Sequence, residues 1–170
     1  MSLLLILTRH AKSSWKHPGL DDHDRPLNRR GRESAAIIGR WLSDRGYSPD
    51  LVLSSTSART YETWERMSGE FGDGAEMRRK ASLYHADPAE ILSTLRGAGT
   101  AGTLLVLGHN PGIGEAADML AAVPPNHPEF ERYPTAATTV FEFDISNWSE
   151  ADWGMGRIAD FIVPRILGRD

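Results

Sequence analysis

The chain has 170 residues, of which 40% are hydrophobic and 25% charged, and its formal net charge is −4. These values are ordinary for a soluble globular protein, and the length predicts a single domain over residues 1–170. The mildly acidic balance argues against a general nucleic-acid or membrane surface. Because the chain has no cysteine, disulfides, thiol catalysis and thiolate metal ligands are excluded.

The N-terminal apolar run covers residues 3–7 and reads LLLIL. It has no basic leader and is too short for a signal peptide or a membrane span, so it predicts a buried first strand, residues 3–8, in a cytoplasmic protein. A polar loop follows as far as Pro26. A helix is then expected over residues 29–45, with Asn28 as its cap and Gly46 as its stop.

Strand and helix patterns alternate along the rest of the chain. Strands are expected at residues 51–54, 77–80, 103–107, 137–145 and 156–163, and helices begin near residues 57, 87 and 111. This alternation predicts an α/β fold, a three-layer sandwich around a mostly parallel central sheet. Binding sites of such sheets lie beyond the carboxyl ends of the strands.

Notable polar residues stand where three of these strands end. Arg9 and His10 follow the first strand, Arg59 follows the second, and His109 follows the fourth. Parallel strands end at the same edge of a sheet, so these four side chains are expected to converge on one pocket. Taken alone, the first pair also fits a surface arginine and a capping histidine.

The segment after the second strand reads SSTSARTYET, residues 54–63. Hydroxyl groups and free backbone N–H groups at the positive end of a helix form a natural anion site. A cation such as Arg59 is unfavourable at this positive end of the helix dipole, unless its guanidinium faces a bound phosphate. The ordinary alternative is a salt bridge from Arg59 to Glu62 or Glu65.

The strongest local signal is GHNPG, residues 108–112. Gly108 lets the backbone approach a ligand, Asn110 can cap a helix, and Pro111 suits the first helical position. His109 is therefore held rigidly between a strand tip and a helix start, although a purely structural histidine is the alternative.

The remaining charged residues are candidates for metal or anion binding. His17 and His23 lie near Asp21, Asp22 and Asp24, but without a recognised ligand spacing, so no metal site is predicted. Basic residues cluster at Arg9, Lys12, Lys16, Arg25, Arg29, Arg30 and Arg32. In an acidic chain, such a cluster favours a small anionic group over a polyanion. Trp15, Trp148 and Trp153 are expected in the core rather than as exposed recognition residues.

In combination, the motifs resemble the histidine phosphatase (phosphoglycerate mutase-like) superfamily. The resemblance rests on RHAKSSW at residues 9–15, DRPL at 24–27, Gly31, Arg59-Thr60 and GHNP at 108–111. The small size narrows it to the short SixA-like phosphohistidine phosphatases, and the match covers nearly the whole chain.

This resemblance implies a mechanism and the roles of the site residues. His10 would attack phosphorus to give a phosphohistidine that water then hydrolyses. Arg9 and Arg59 would clamp the phosphoryl oxygens, and His109 would donate to them. No metal and no other cofactor would be required. The arginines also favour the neutral, nucleophilic form of the imidazole.

One feature departs from the superfamily pattern. Many members carry a glutamate after the third strand that protonates an alcohol leaving group, whereas this chain reads LYHADP at residues 83–88. A P–N bond needs less help from such an acid. His85, Asp21 and Asp22 are the remaining candidate proton donors.

The sequence therefore favours a phosphatase acting on a phosphohistidine protein. A small-molecule phosphatase of the same fold, acting on a phosphorylated metabolite, is the first alternative. A phosphate-binding module without turnover is the second. Neither nucleic acid nor membrane is expected as a partner.

Overall fold

The computed structural model describes residues 2–168 as one six-stranded sheet with helices on both faces. The strands are β1 Leu3–Arg9, β2 Leu51–Ser55, β3 Glu76–Lys80, β4 Thr103–Gly108, β5 Thr138–Phe143 and β6 Arg157–Ile162. The α-helices are α1 Arg29–Asp44, α2 Ala58–Ser68, α3 Pro88–Arg96 and α4 Gly112–Leu120.

The strands lie in the order β3-β2-β4-β1-β5-β6. β3, β2, β4 and β1 are parallel neighbours, and β5 runs antiparallel to both β1 and β6. In this register Arg9 pairs with Gly108, and Ser54 pairs with Leu107. The carboxyl ends of β1, β2 and β4 therefore meet at one place on the sheet edge.

Alternate residues of the central strands face two separate cores. Leu5 and Leu7 of β1 pack in the core beneath α3 and α4, whereas Ile6 packs in the core beneath α1 and α2. All three are fully buried. The two apolar cores fix the sheet between its helical layers and leave its carboxyl edge to polar side chains.

The predicted α/β class and mostly parallel sheet are confirmed. The strand bounds differ most from the expected ones in β5 and β6, at one margin of the sheet. Both strands are shorter than expected because their end residues do not pair with the neighbouring strand. β3 gave only a weak strand pattern because four of its five side chains are exposed at the edge of the sheet. Over residues 2–168, no helix combines the length and apolar character that crossing a membrane requires.

Candidate active site

The ends of β1, β2 and β4 surround a pocket of about 260 Å³. All four residues expected to converge line it: Arg9, His10, Arg59 and His109. The other lining residues are Lys12, Ser13, Trp15, Arg25, His85, Asn110 and Thr135. Four of these eleven side chains are cationic and none is a carboxylate, so the pocket is suited to an anion.

His10 is buried at the tip of β1, with 6% of its surface exposed. Its Nδ1 lies 2.7 Å from the carbonyl oxygen of Ala11. A carbonyl can only accept, so Nδ1 must carry the proton, and in the neutral ring Nε2 then carries a lone pair. Burial, reinforced by the charges of Arg9, Arg59 and Arg25, lowers the pKa of His10 to about 3 despite the opposing effect of the Ala11 bond. The imidazole is therefore neutral at physiological pH.

The side chains of the two arginines predicted to clamp the phosphoryl group are fixed by hydrogen bonds to neighbouring residues. Arg9 donates from Nη1 to the carbonyl of Tyr133 at 3.2 Å. Arg59, in the first turn of α2, donates from Nη1 to the backbone carbonyl of Asp22 at 2.6 Å and from Nη2 to its carboxylate at 2.9 Å. Burial and the nearby Arg59 charge lower the pKa of Arg9. Both guanidiniums are thus fixed at the pocket by groups outside its lining.

The contacts that Asp22 makes with the arginines of the site could not be predicted from the sequence. Its carboxylate bridges Arg59 and Arg25 and also accepts from the Tyr84 hydroxyl. These donors, Tyr84 first, hold the pKa of Asp22 well below its usual range. Asp22 is therefore ionised and is a poor proton donor. Neither candidate aspartate lines the pocket, and Asp21 is exposed next to the 3-10 turn.

His85, the third candidate donor, does line the pocket and is about half exposed. Its Nε2 lies 3.4 Å from both Asp22 Oδ2 and Arg59 Nη2. The ring stacks on Tyr84 at 4.1 Å and meets the ring of His109 edge-on at 5.2 Å. Of the three candidate donors, His85 is therefore the one that lines the pocket.

His109 follows β4 and is 3% exposed. Its Nε2 lies 2.8 Å from the hydroxyl of Ser55, at the end of β2. Burial first, and then the proximity of His10, Arg59 and His85, lowers the pKa of His109 to about 2. No sequence motif marks Ser55 on its own, although it stands at the end of a strand whose neighbour leads into His109.

Three buried side-chain nitrogens lack a hydrogen-bond partner within residues 2–168, and all three belong to this pocket. They are Arg9 Nε, Arg59 Nε and His109 Nδ1. Buried donors of native proteins are nearly always satisfied, and an exception calls for an explanation such as an unseen ion. Their clustering at one place fits a site that is completed by a bound oxyanion.

Arg25 and Trp15 form one wall of the pocket. The Arg25 guanidinium lies 3.6 Å from the centre of the Trp15 ring and also donates to Ser13 Oγ at 2.9 Å. Trp15 is 78% exposed, so the expectation that it packs in the core is wrong. Trp148 is fully buried, and Trp153 is partly buried against the core.

The loop after β4 keeps several of its expected contacts. A Cβ on Gly108 would meet Ile113 Cδ1 at 3.2 Å, so this glycine also packs closely against α4. The N-cap position of α4 falls on Pro111, one residue later than expected. The Asn110 side chain still accepts from the Gly114 N–H in the first turn of α4, as a capping side chain does. It also donates to the carbonyls of Arg132 and Tyr133, which ties this loop to the segment before β5.

The expected alternatives for the charged residues resolve simply. Arg59 pairs with Asp22 rather than Glu62 or Glu65, and Glu62 accepts from the Leu27 N–H instead. Of the clustered arginines at residues 25–32, Arg25 lines the pocket and the other three do not. Across residues 2–168 no group of three His, Asp or Glu side chains is placed to hold a metal ion.

Comparison with known proteins places the chain in a family. A model described as histidine phosphatase superfamily (branch 1) matches residues 5–87. An uncharacterised protein of Mycobacterium tuberculosis is 32% identical over 163 residues, which cover 92% of this chain and 99% of that protein. The chain belongs to the histidine phosphatase superfamily. The resemblance drawn from the motifs is thereby confirmed.

Two solved structures narrow the likeness within this superfamily. The structure of a protein described as putative phosphohistidine phosphatase SixA from Nakamurella multipartitia is 27% identical, with a TM-score of 0.82 over 96% of this chain and 97% of that chain. A protein of the same description from Agrobacterium tumefaciens is 29% identical, with a TM-score of 0.78 over 95% of this chain and 98% of that chain. This histidine phosphatase therefore shares both size and architecture with SixA proteins.

Proposed function

We propose that this protein is a phosphatase in which Nε2 of His10 takes the phosphoryl group from its substrate. The single observation that carries this proposal is the hydrogen bond from Nδ1 to the Ala11 carbonyl at 2.7 Å. It orients the ring and leaves Nε2 as its basic atom. A lowered pKa keeps that atom unprotonated, which nucleophilic attack requires.

Arg9 and Arg59 would stabilise the charge of the transferring phosphoryl group. Phosphoryl transfer is catalysed mainly by positioning and by electrostatic stabilisation of the equatorial oxygens. Arg59 is fixed through Asp22 and Arg9 through Tyr133, so little reorganisation is needed when charge develops. Their Nε atoms, which have no hydrogen-bond partner within residues 2–168, would be further donors for these oxygens.

His109 would act as a neutral donor to the same group. If Nδ1 carries its proton, Nε2 can accept from the Ser55 hydroxyl, which accounts for the 2.8 Å contact. Nδ1–H then lacks an acceptor, and a phosphoryl oxygen would supply one. Since burial lowers the pKa of His109, it serves as a hydrogen-bond donor rather than as a cation.

The proposed reaction has two balanced steps. In the first, a bond forms between His10 Nε2 and phosphorus while the bond from phosphorus to the leaving group breaks, and the leaving group takes up a proton. In the second, water attacks the phosphohistidine, releasing inorganic phosphate and the free imidazole. No redox partner is involved, and the histidine and arginine side chains supply the chemistry without a metal.

The favoured substrate is phosphohistidine on a protein. No protonated carboxylic acid lines the described pocket, because Asp22 is ionised and lies behind Arg59. An imidazole leaving group takes up a proton readily near neutral pH, whereas an alkoxide requires a dedicated acid. A second candidate, a small phosphomonoester, is supported by His85, whose imidazole lines the pocket and could serve as the proton donor such a substrate requires.

A panel of substrates tests this proposal. The purified protein is assayed on a phosphohistidine peptide and on serine, sugar and aryl phosphates, beside His10→Ala and the exposed control His17→Ala. We expect turnover of phosphohistidine that His10→Ala abolishes and His17→Ala leaves intact. Faster turnover of sugar or serine phosphates would favour the second candidate, and normal turnover by His10→Ala would contradict the mechanism.

A further inference from the structure

A second cavity of about 450 Å³ adjoins the phosphoryl pocket. Arg9, Lys12 and Thr135 line both spaces, so the two are contiguous. Beyond these shared residues, the second cavity is walled by Glu129, Arg132 and Arg165, with Pro134, Val163 and Pro164 as its apolar surface. We call this cavity the annex. It is larger than the pocket and lies beside it.

The annex carries a net positive charge in a protein whose overall charge is −4. Lys12, Arg132 and Arg165 bring three cations beyond Arg9. The one acid is Glu129, which pairs with Arg132 at 3.2 Å and with Arg165 at 3.8 Å. Glu129 is largely buried while the two arginines are 74% and 61% exposed. The single carboxylate thus neutralises only part of the arginines' charge, and their exposed ends remain open to a ligand.

We propose that the annex binds acidic side chains that flank the phosphorylated residue of a polypeptide substrate, an inference that rests on the proposed function. A substrate whose phosphoryl group lies at His10 must pass the rest of its bulk out of the 260 Å³ pocket. The annex is the adjoining space, and its charge is complementary to carboxylates. Its proline and valine surface would cover the apolar parts of a chain.

The character of the annex favours a polypeptide over a second phosphate on a small metabolite. A compact phosphate is gripped by converging, buried donors, as in the pocket itself. In the annex, the two arginines that are not shared with the pocket are mostly exposed. Long, exposed arginine side chains over an apolar floor suit carboxylates spread along a chain.

Matched peptides test the assignment. Two phosphohistidine peptides differ only in their flanks, which carry either glutamates or glutamines, and kcat/KM is measured for each. We expect wild-type protein to prefer the acidic peptide about five-fold, as for one or two exposed ion pairs, and to lose this preference at high salt. The double variant Arg132→Gln/Arg165→Gln removes it. Arg157→Gln, an exposed arginine paired with Glu142 at the opposite end of the sheet, keeps it.

Glu129→Gln provides a test of opposite sign. It removes the competing carboxylate and should raise the preference for the acidic peptide, an outcome that misfolding could not produce. Equal kcat/KM for both peptides in wild-type protein would overturn the proposal while leaving phosphatase activity established. The polypeptide assignment would be overturned by a different pair of results: no preference between the two peptides, together with turnover of a doubly phosphorylated metabolite that falls in the Arg132→Gln/Arg165→Gln variant. If no substrate is turned over, the dissociation constants of the acidic and neutral peptides are measured instead, each carrying a stable phosphohistidine analogue. Equal affinities of the two peptides would overturn the proposal.

Discussion

Replacing His10 by glutamine should flatten the pH dependence of the protein's stability. Burial lowers the pKa of His10 to about 3 in the folded state, whereas an unfolded histidine titrates near 6.5. Between these two values the unfolded chain binds the proton and the folded protein does not. Stability must therefore fall as the pH is lowered through this window, and glutamine removes this contribution.

The magnitude follows from the two pKa values. Between pH 7.5 and pH 5, His10 should cost the wild-type protein about 2 kcal/mol of unfolding free energy, at about 1.4 kcal/mol per pH unit below 6.5. His109, whose pKa is lowered to about 2, contributes in the same direction and remains in the His10 variant. His10→Gln should therefore lose less stability on acidification than the wild type, without becoming independent of pH.

Urea unfolding at both pH values measures this difference. The wild type, His10→Gln and the exposed control His17→Gln are compared, and the midpoints are read at constant m-value. The control should follow the wild type. If His10→Gln and the wild type lose the same free energy between pH 7.5 and pH 5, then His10 is not held neutral by the fold and the nucleophile argument loses its electrostatic basis.

Three further changes test other parts of the site. Arg59→Gln should cost about 2–4 kcal/mol of transition-state stabilisation in kcat/KM, whereas the exposed Arg40→Gln should cost almost nothing; equal rates for the two variants would contradict the clamp. Gly112→Ala places a Cβ 1.8 Å from the Ala86 carbonyl oxygen and should destabilise by about 1–3 kcal/mol in thermal unfolding, unlike Gly19→Ala, whose surroundings are open. Dialysis against a chelator should leave turnover unchanged, and activity restored only by divalent ions would contradict metal independence.

The fold could be predicted from sequence because its signals are local. An apolar run such as residues 3–7 has to become a buried strand, and Asn28 and Asp87 mark helix starts through hydrogen bonds to N–H groups three residues on. The pocket followed from one topological rule, since parallel strands bring Arg9, His10 and His109 to the same edge.

The supporting contacts could not be predicted because they join distant parts of the chain. Asp22 lies 37 residues before Arg59, which holds it by two hydrogen bonds. Nothing in a polar loop distinguishes it from Asp21 or Asp24 until the loop has folded. Trp15 shows the same limit, since an aromatic residue is buried in most contexts and its exposed stacking on Arg25 depends on where Asp22 holds that guanidinium.

Trapping the covalent intermediate tests the role of His10 most directly. Wild-type protein is mixed with a substrate labelled in its phosphoryl group, quenched within milliseconds, and digested to locate the label. We expect label on His10 that is labile to acid and stable to alkali, as for a P–N bond, and none in His10→Ala. Label on another residue, or turnover in His10→Ala at a near-normal rate, would contradict nucleophilic attack by His10 and favour direct attack by water in the arginine pocket.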